Sequence, residues 1–252
     1  MITPFSPVQA QINEYFPPST HPYRLLQAAI DQAVSPDADV LDIGCGRNAP
    51  MLRRLAGRTR SRYGIDLVEF VSSDPEVTLV NADVCHMPFL GDNSIDVAFS
   101  RSVMEHIEDV ESAYKELYRV LRPGGKYLFL TPNRWHYVPI IASIIPNKWH
   151  PQIVKMVSDR VEEDVFPTFY RANTGSDIRG LSHSAGFRID RLEYLTQYPA
   201  YFVFSKTLFW VGCQYERLLR SFHSLSGMRG WLFCVIEKPP AAESVATKTE
   251  DA

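Results

Sequence analysis

The stretch Asp39-Val-Leu-Asp-Ile-Gly-Cys45, followed at once by Gly46, decides the fold. A short apolar run that ends in glycine reads as a buried strand entering a tight turn. Glycines at such a junction accept positive φ and let a ligand approach the backbone closely. Met51–Leu55 predicts a helix just beyond it. Working outward, Arg62–Leu67 (RYGIDL), Thr78–Asp83 (TLVNAD), Ile95–Ser100 (IDVAFS) and Lys126–Thr131 (KYLFLT) read as four more strands. Leu25, Leu26, Ala29, Ile30 and Val34 fall at helical spacing, and Pro36 closes that helix. Ile107, Val110, Tyr114, Leu117, Tyr118 and Leu121 mark an amphipathic helix that Pro123-Gly124 ends. Strands separated by helices predict a parallel sheet covered on both faces, and right-handed crossovers make it doubly wound.

The flanks read differently. Residues 1–20 hold four prolines and little periodicity, which predicts an irregular arm. Residues 134–173 mix aromatics and prolines around one helix, Pro151–Asp159. Thr174-Gly-Ser-Asp177 resembles a capping box opening a helix through Ser184, stopped by Gly186. Arg188–Leu195 and Trp231–Glu237 predict two late strands with a helical stretch, Ala200–Phe222, between them. The tail 239–252 reads as disordered. One domain over residues 21–238 is therefore expected, with a core at 38–133 and cap elements at 134–173 and 198–228.

The 252 residues carry 26 Lys+Arg against 29 Asp+Glu, net −3, so no general attraction to nucleic acid is expected. The 4 Cys form no CxxC pair, which argues against a zinc ribbon or a disulfide framework. Neither the start of the chain nor its two most apolar stretches reads as a signal peptide or a bilayer span, so a cytoplasmic protein is expected. Residues 1–133 hold 12 of the 30 aromatics, whereas 134–252 hold 18 and all four Trp. That imbalance separates a motif-rich half from an aromatic half.

Asp66 ends the second strand, 20 residues beyond Gly46, where a carboxylate can accept from both hydroxyls of a ribose. A tight turn beside a solvated Asp is the bland alternative. Gly44-x-Gly46-x-x-Ala49 also satisfies the dinucleotide fingerprint, which keeps a nicotinamide oxidoreductase in view. The segments VLDIGCG (40–46), YGIDL (63–67), NADVCHMPF (81–89), DNSIDVAFS (92–100), MEHIED (104–109) and LRPGGKYLFLTPN (121–133) decide between them. In this order and spacing the chain resembles the class I S-adenosylmethionine-dependent methyltransferases, particularly their type 11 branch.

The resemblance implies a Rossmann-like, seven-stranded, mostly parallel sheet with a helical cap insertion, binding S-adenosyl-L-methionine. By that resemblance Asp42, Gly44, Cys45 and Gly46 form the turn around the methionine portion, and Asp42 helps hold its amino group. Asp66, with Leu67 beside it, takes the ribose; Asp83 accepts from the adenine amino group and Val84 offers its N–H; Ser100 sits near the methionyl tail. Two departures stand out. Asn48 replaces a third glycine, and Val68–Asp74 is short for the helix usual there.

His106 is the first candidate for a general base, with hydrogen bonding to local backbone as the alternative, and His136, just past the fifth strand at the site's rim, is the second. Glu105, three residues after Ser102, reads as part of a capping box. His86 reads as loop packing. Arg53, Arg54, Arg58, Arg60 and Arg62 read as a solvated face, with contact to an anionic membrane as the alternative. Eight aromatics between Tyr194 and Tyr215 read as helix packing or as a lid or groove for a lipid-like acceptor. No Asn/Asp-Pro-Pro-Tyr follows the fourth strand, so a small-molecule, glycan or lipid-linked acceptor is expected rather than a nucleobase. A non-catalytic binding module of the same fold, tethered to a membrane by the aromatic insertion, is the competing class.

Overall fold

Strand parity explains how the sheet holds two cores. A computed structural model describes residues 8–71, 74–144 and 166–240. Its strands are β1 (Asp39–Ile43), β2 (Ser61–Asp66), β3 (Val77–Asn81), β4 (Ile95–Arg101), β5 (Leu121–Pro132), β6 (Arg188–Leu195) and β7 (Trp231–Glu237). They form one sheet in the order β3-β2-β1-β4-β5-β7-β6. The first five run parallel, and β7 lies antiparallel between β5 and β6. Successive side chains alternate faces. Leu41, Ile43, Ala98, Tyr127 and Phe129 enter one core with α4 (Val110–Val120) and α6 (Gly175–Ala185). Val40, Val97, Phe99, Leu128 and Leu130 enter the other with α2 (Pro22–Ala33) and α3 (Pro50–Arg54).

The helix ends follow the sequence signals. Asp109 caps α4 by accepting from Ser112 N–H at 3.1 Å, so that helix opens three residues later than the apolar stripe suggests. Thr174 accepts from Asp177 N–H at 3.1 Å, and Gly186 closes α6 in the left-handed conformation.

The expected irregular arm is corrected over its described part. α1 (Gln9–Tyr15) is helical, and a 3-10 turn follows at Pro18–Thr20. Val8, Ile12 and Phe16 pack on Phe209 and Cys213 of α7 (Lys206–Ser221), a third core outside the sheet. α5 (Tyr137–Ile144) follows β5. The helix expected at 151–159 and residues 241–252 of the tail lie outside the described residues.

Four arginines of the run, Arg54, Arg58, Arg60 and Arg62, are paired. Arg54 and Arg58 pair with Asp31 at 2.7 and 2.6 Å. Arg62 is buried, donating to the Leu52 carbonyl at 3.2 Å and pairing with Glu76. Arg60 pairs with Asp39, which also accepts from Ser61 and from Arg122 at 2.7 Å. The Arg60 guanidinium holds the Asp39 carboxyl far below the usual carboxylate range, against the opposing effect of burial. A depressed folded-state pKa stabilises the fold above the unfolded value of about 3.9 and loses that contribution as pH falls below it. In acid titrations followed by circular dichroism, Asp39→Asn is expected to be less stable at neutral pH and to show a flatter acid limb. Unchanged curves overturn that assignment.

Candidate functional site

β1 pairs with β2 on one side and β4 on the other, so chain order reverses there. In open α/β sheets the crevice at such a switch point, outside the carboxyl ends of the strands, holds the ligand. A cleft of about 630 Å³ occupies that position.

Its floor is the turn after β1. Gly44 N–H and Cys45 N–H both donate to the Ile65 carbonyl, at 2.8 and 3.1 Å, tying the turn to β2. Gly44 has φ +70°, and a Cβ there would stand 2.3 Å from Val103 Cγ2. Gly46 has φ +71°, with open space where a Cβ would point. One glycine thus permits close packing beneath the turn, and the other leaves room for a ligand above it. The left-handed residue opening α3 is Ala49, φ 40°, rather than Asn48.

Asp66 and Asp83 present carboxylates to the cleft from consecutive strand ends. Asp66 Oδ2 accepts from Gly46 N–H at 2.7 Å, and Oδ1 accepts from Leu67 and Val68 N–H at 2.7 and 3.2 Å. Three backbone donors fix its orientation, and two oxygens with about four acceptor positions retain capacity for a ligand. Asp83 Oδ1 accepts from Cys85 N–H at 2.9 Å, an Asx turn that aims Val84 at the cleft. Val68–Phe70 carries no helix, as the short segment suggests.

Of the residues singled out in the sequence, Gly44, Gly46, Asp66, Leu67, Asp83, Val84 and His106 line the cleft together. Asp42, Cys45, Ser100 and His136 stand elsewhere. Asp42 is buried beneath the turn, where burial holds its carboxyl well above the usual range and Arg101 opposes that shift. Cys45 packs toward Gly64, and burial, reinforced by Asp42 and Asp66, pushes its thiol up to about 12. Such a thiol is no nucleophile near neutrality. Ser100 faces the sheet interior, its hydroxyl 2.6 Å from Tyr127 OH. His136 is buried, with Nε2 3.2 Å from Glu216 Oε1 on α7. That partner removes His136 from the rim.

His106 closes a 3-10 turn, Met104–His106, and its Nδ1 lies 2.8 Å from the Pro167 carbonyl. A carbonyl only accepts, so Nδ1 carries the proton and the neutral ring keeps Nε2 as an acceptor. Glu105 forms no capping box; Ser102 takes φ 57°, and Glu105 is buried, with Oε2 accepting from Thr131 Oγ1 at 3.1 Å. Its Oε1 stands 3.9 Å from His106 Nε2. Sequence inspection missed Tyr23, Arg101, Phe166 and Pro167 in the lining. Arg101 stacks over the Tyr23 ring, 4.6 Å from its centroid. The signal for Arg101 was present, one residue past the expected strand end. Among the described residues, no group of three or more His, Cys, Asp or Glu is arranged to hold a metal ion.

The order β3-β2-β1-β4-β5-β7-β6 with antiparallel β7 departs from the 3-2-1-4-5-6 order of the dinucleotide-binding fold. A family model described as a methyltransferase domain matches residues 41–129. The chain is 35% identical over 108 residues to the "probable S-adenosylmethionine-dependent methyltransferase" of Mycolicibacterium smegmatis, covering 40% of each chain. It is 34% identical over 108 residues to cycloartenol-C-24-methyltransferase of Arabidopsis thaliana, covering 38% of this chain and 32% of that one. These matches span well under half the length of those relatives. The solved structure of geranyl diphosphate C-methyltransferase from Streptomyces coelicolor superposes with a TM-score of 0.53 at 14% identity, covering 86% of this chain and 79% of that one, a likeness of fold. Residues 41–129 thus match a methyltransferase domain whose curated relatives include S-adenosylmethionine-dependent methyltransferases, and the sheet order and the solved structures share its fold.

Proposed function

We propose that the protein transfers the methyl group of S-adenosylmethionine to a small-molecule or lipid-like acceptor. The observation that carries this is the joint placement of the Gly44–Gly46 turn, the Asp66 and Asp83 carboxylates and His106 around one cleft. The residues present fit the cofactor: Gly46 leaves open space above a positive-φ backbone, and Asp66 is held by three N–H donors at the end of β2. In this reading Gly44 and Gly46 receive the methionine portion, Asp66 the ribose hydroxyls, and Asp83 with Val84 the adenine. When bound, the cofactor supplies an electrophilic methyl on a sulfonium. The protein then has to align the acceptor and exclude water.

His106 is the group that takes a proton from the acceptor. Its Nε2 receives the proton, and the Glu105 carboxylate, 3.9 Å away, stabilises the imidazolium that forms. His106→Ala is expected to lower turnover about 100-fold or more across neutral pH while leaving cofactor affinity unchanged. Equal turnover removes the assignment.

The relatives support an apolar acceptor. A second cavity, of about 400 Å³, shares Tyr23 with the cleft and has a mixed lining, with Ile12, Phe16 and Tyr198 beside Asn13, Arg24 and Gln197. The Arabidopsis relative is named for a sterol, and the Streptomyces neighbour for a prenyl diphosphate. A radiolabelled-methyl assay on cell extract fractionated into lipid, small-molecule, glycan and protein pools tests this. Label in the lipid or small-molecule pool is expected; label in protein or glycan alone overturns the acceptor class. Calorimetry tests the cofactor separately, and no binding of S-adenosylmethionine or S-adenosylhomocysteine overturns the reading.

A further inference from the structure

Helix α7 shows two apolar faces, one covered and the other exposed except where Tyr215 packs edge-on against Tyr137 of α5. Phe209, Gly212, Cys213, Glu216 and Leu219 are buried, some of them against α1. A second stripe runs at 208, 211, 215 and 218, spacings of three and four that align residues along one side of a helix, and Phe204 and Phe222 flank the helix at its two ends. Phe204, Leu208, Val211, Leu218 and Phe222 are 45% to 65% exposed, and Tyr215 is half-buried. An ordinary surface helix turns polar side chains outward. Three large apolar residues in an exposed row, with an exposed Phe at either end of the helix, are instead the mark of a docking face.

The charges around the stripe select its occupant. The exposed charged residues of α7 are Lys206, Arg217 and Arg220, and its one acid, Glu216, is buried. Lys206, Trp210 and Arg217 form a parallel row, with Trp210 49% exposed. Long cationic stems beside an indole suit the headgroup level of a bilayer, where apolar bodies sink and polar tips stay wet. No helix of the described residues is long and apolar enough to cross a membrane, so the contact is a surface one.

We infer that the outer face of α7 docks on an anionic phospholipid bilayer, with Phe204, Leu208, Val211, Leu218 and Phe222 immersed and Lys206 and Arg217 at the headgroups. The inference complements a lipid-like acceptor but does not depend on methyl transfer, and its test needs neither cofactor nor acceptor.

The test is co-sedimentation of the full chain with vesicles of phosphatidylcholine alone or with about one-third phosphatidylglycerol. Binding is expected to the anionic vesicles, weakened by salt. Val211→Glu and Leu218→Glu should reduce it about tenfold or more, because a charge is forced among the acyl chains. Lys206→Ala should reduce it about fivefold through lost attraction. All three positions are exposed, so unchanged circular dichroism and Tm are expected to accompany the loss. Failure to sediment with anionic vesicles, or undiminished sedimentation of Val211→Glu, overturns the inference. Light scattering that shows a dimer dispersed by Val211→Glu, without vesicle binding, assigns the stripe to a second copy instead.

Discussion

Replacing Asp66 with alanine is expected to weaken binding of S-adenosylhomocysteine about 100-fold or more, with little loss of thermal stability. The effect originates in the geometry of β2. Its last residue places a carboxylate where Gly46, Leu67 and Val68 all donate backbone N–H groups to it. That fixed, negatively charged acceptor stands in the lining of the cleft. Hydrogen bonds to charged groups contribute about 1.5–3 kcal/mol each. Loss of the two ribose contacts proposed for it is therefore expected to remove about two orders of magnitude in affinity or more. Alanine also leaves the three N–H groups without their acceptor, but at the mouth of an open cleft water can replace it. Asp66→Asn discriminates further, since it keeps an acceptor oxygen and loses the charge; an intermediate affinity is expected. Calorimetry with the demethylated product reads both variants without any knowledge of the acceptor. Wild-type affinity in Asp66→Ala removes Asp66 from the cofactor site and leaves the fold assignment intact.

What the sequence disclosed about this site, and what it withheld, divides along the range of the interactions. The turn after β1 is legible because its glycines answer a local demand: Gly44 and Gly46 both take φ near +70°. Asp66 is legible because a strand end at fixed spacing is also local. The helix α1 was not, because its order comes from Val8, Ile12 and Phe16 meeting Phe209 and Cys213, some two hundred residues away in sequence. Seven residues flanked by Val8 and Phe16 fall below what a helix needs to declare itself alone. At the end of β4 the expectation missed by a single step of parity. Ser100 and Arg101 point to opposite sides of β4, and it is Arg101 that reaches the cleft while Ser100 bonds Tyr127. Pro167 orients His106 from 61 residues away, a relation no motif spacing encodes.

His136 is the clearest instance of a role set by a distant partner, and it carries the largest stability effect expected of any single change. A histidine just past a strand end in a ligand-binding fold invites a catalytic reading. The structure instead buries it beside Glu216, Nε2 to Oε1 3.2 Å, with the Tyr137 ring 4.2 Å away centre to centre. Glu216 is almost wholly buried, and its Oε2 has no hydrogen-bond partner among the described residues. His136 is thus the group that compensates this carboxylate, and it ties the end of β5 to α7. Removing one member of a buried pair leaves the other uncompensated, at a cost of about 3–5 kcal/mol. His136→Leu is therefore expected to lower Tm by about 10 °C. Glu216→Leu alone should cost less, because a neutral imidazole is easier to bury than a carboxylate. The double variant His136→Leu with Glu216→Leu should recover most of the loss, since an apolar pair of similar volume carries no desolvation penalty. Cofactor affinity in the double variant is expected to stay near wild type, because neither residue lines the cleft. A stable His136→Leu protein that has lost turnover but kept its Tm would return His136 to the chemistry.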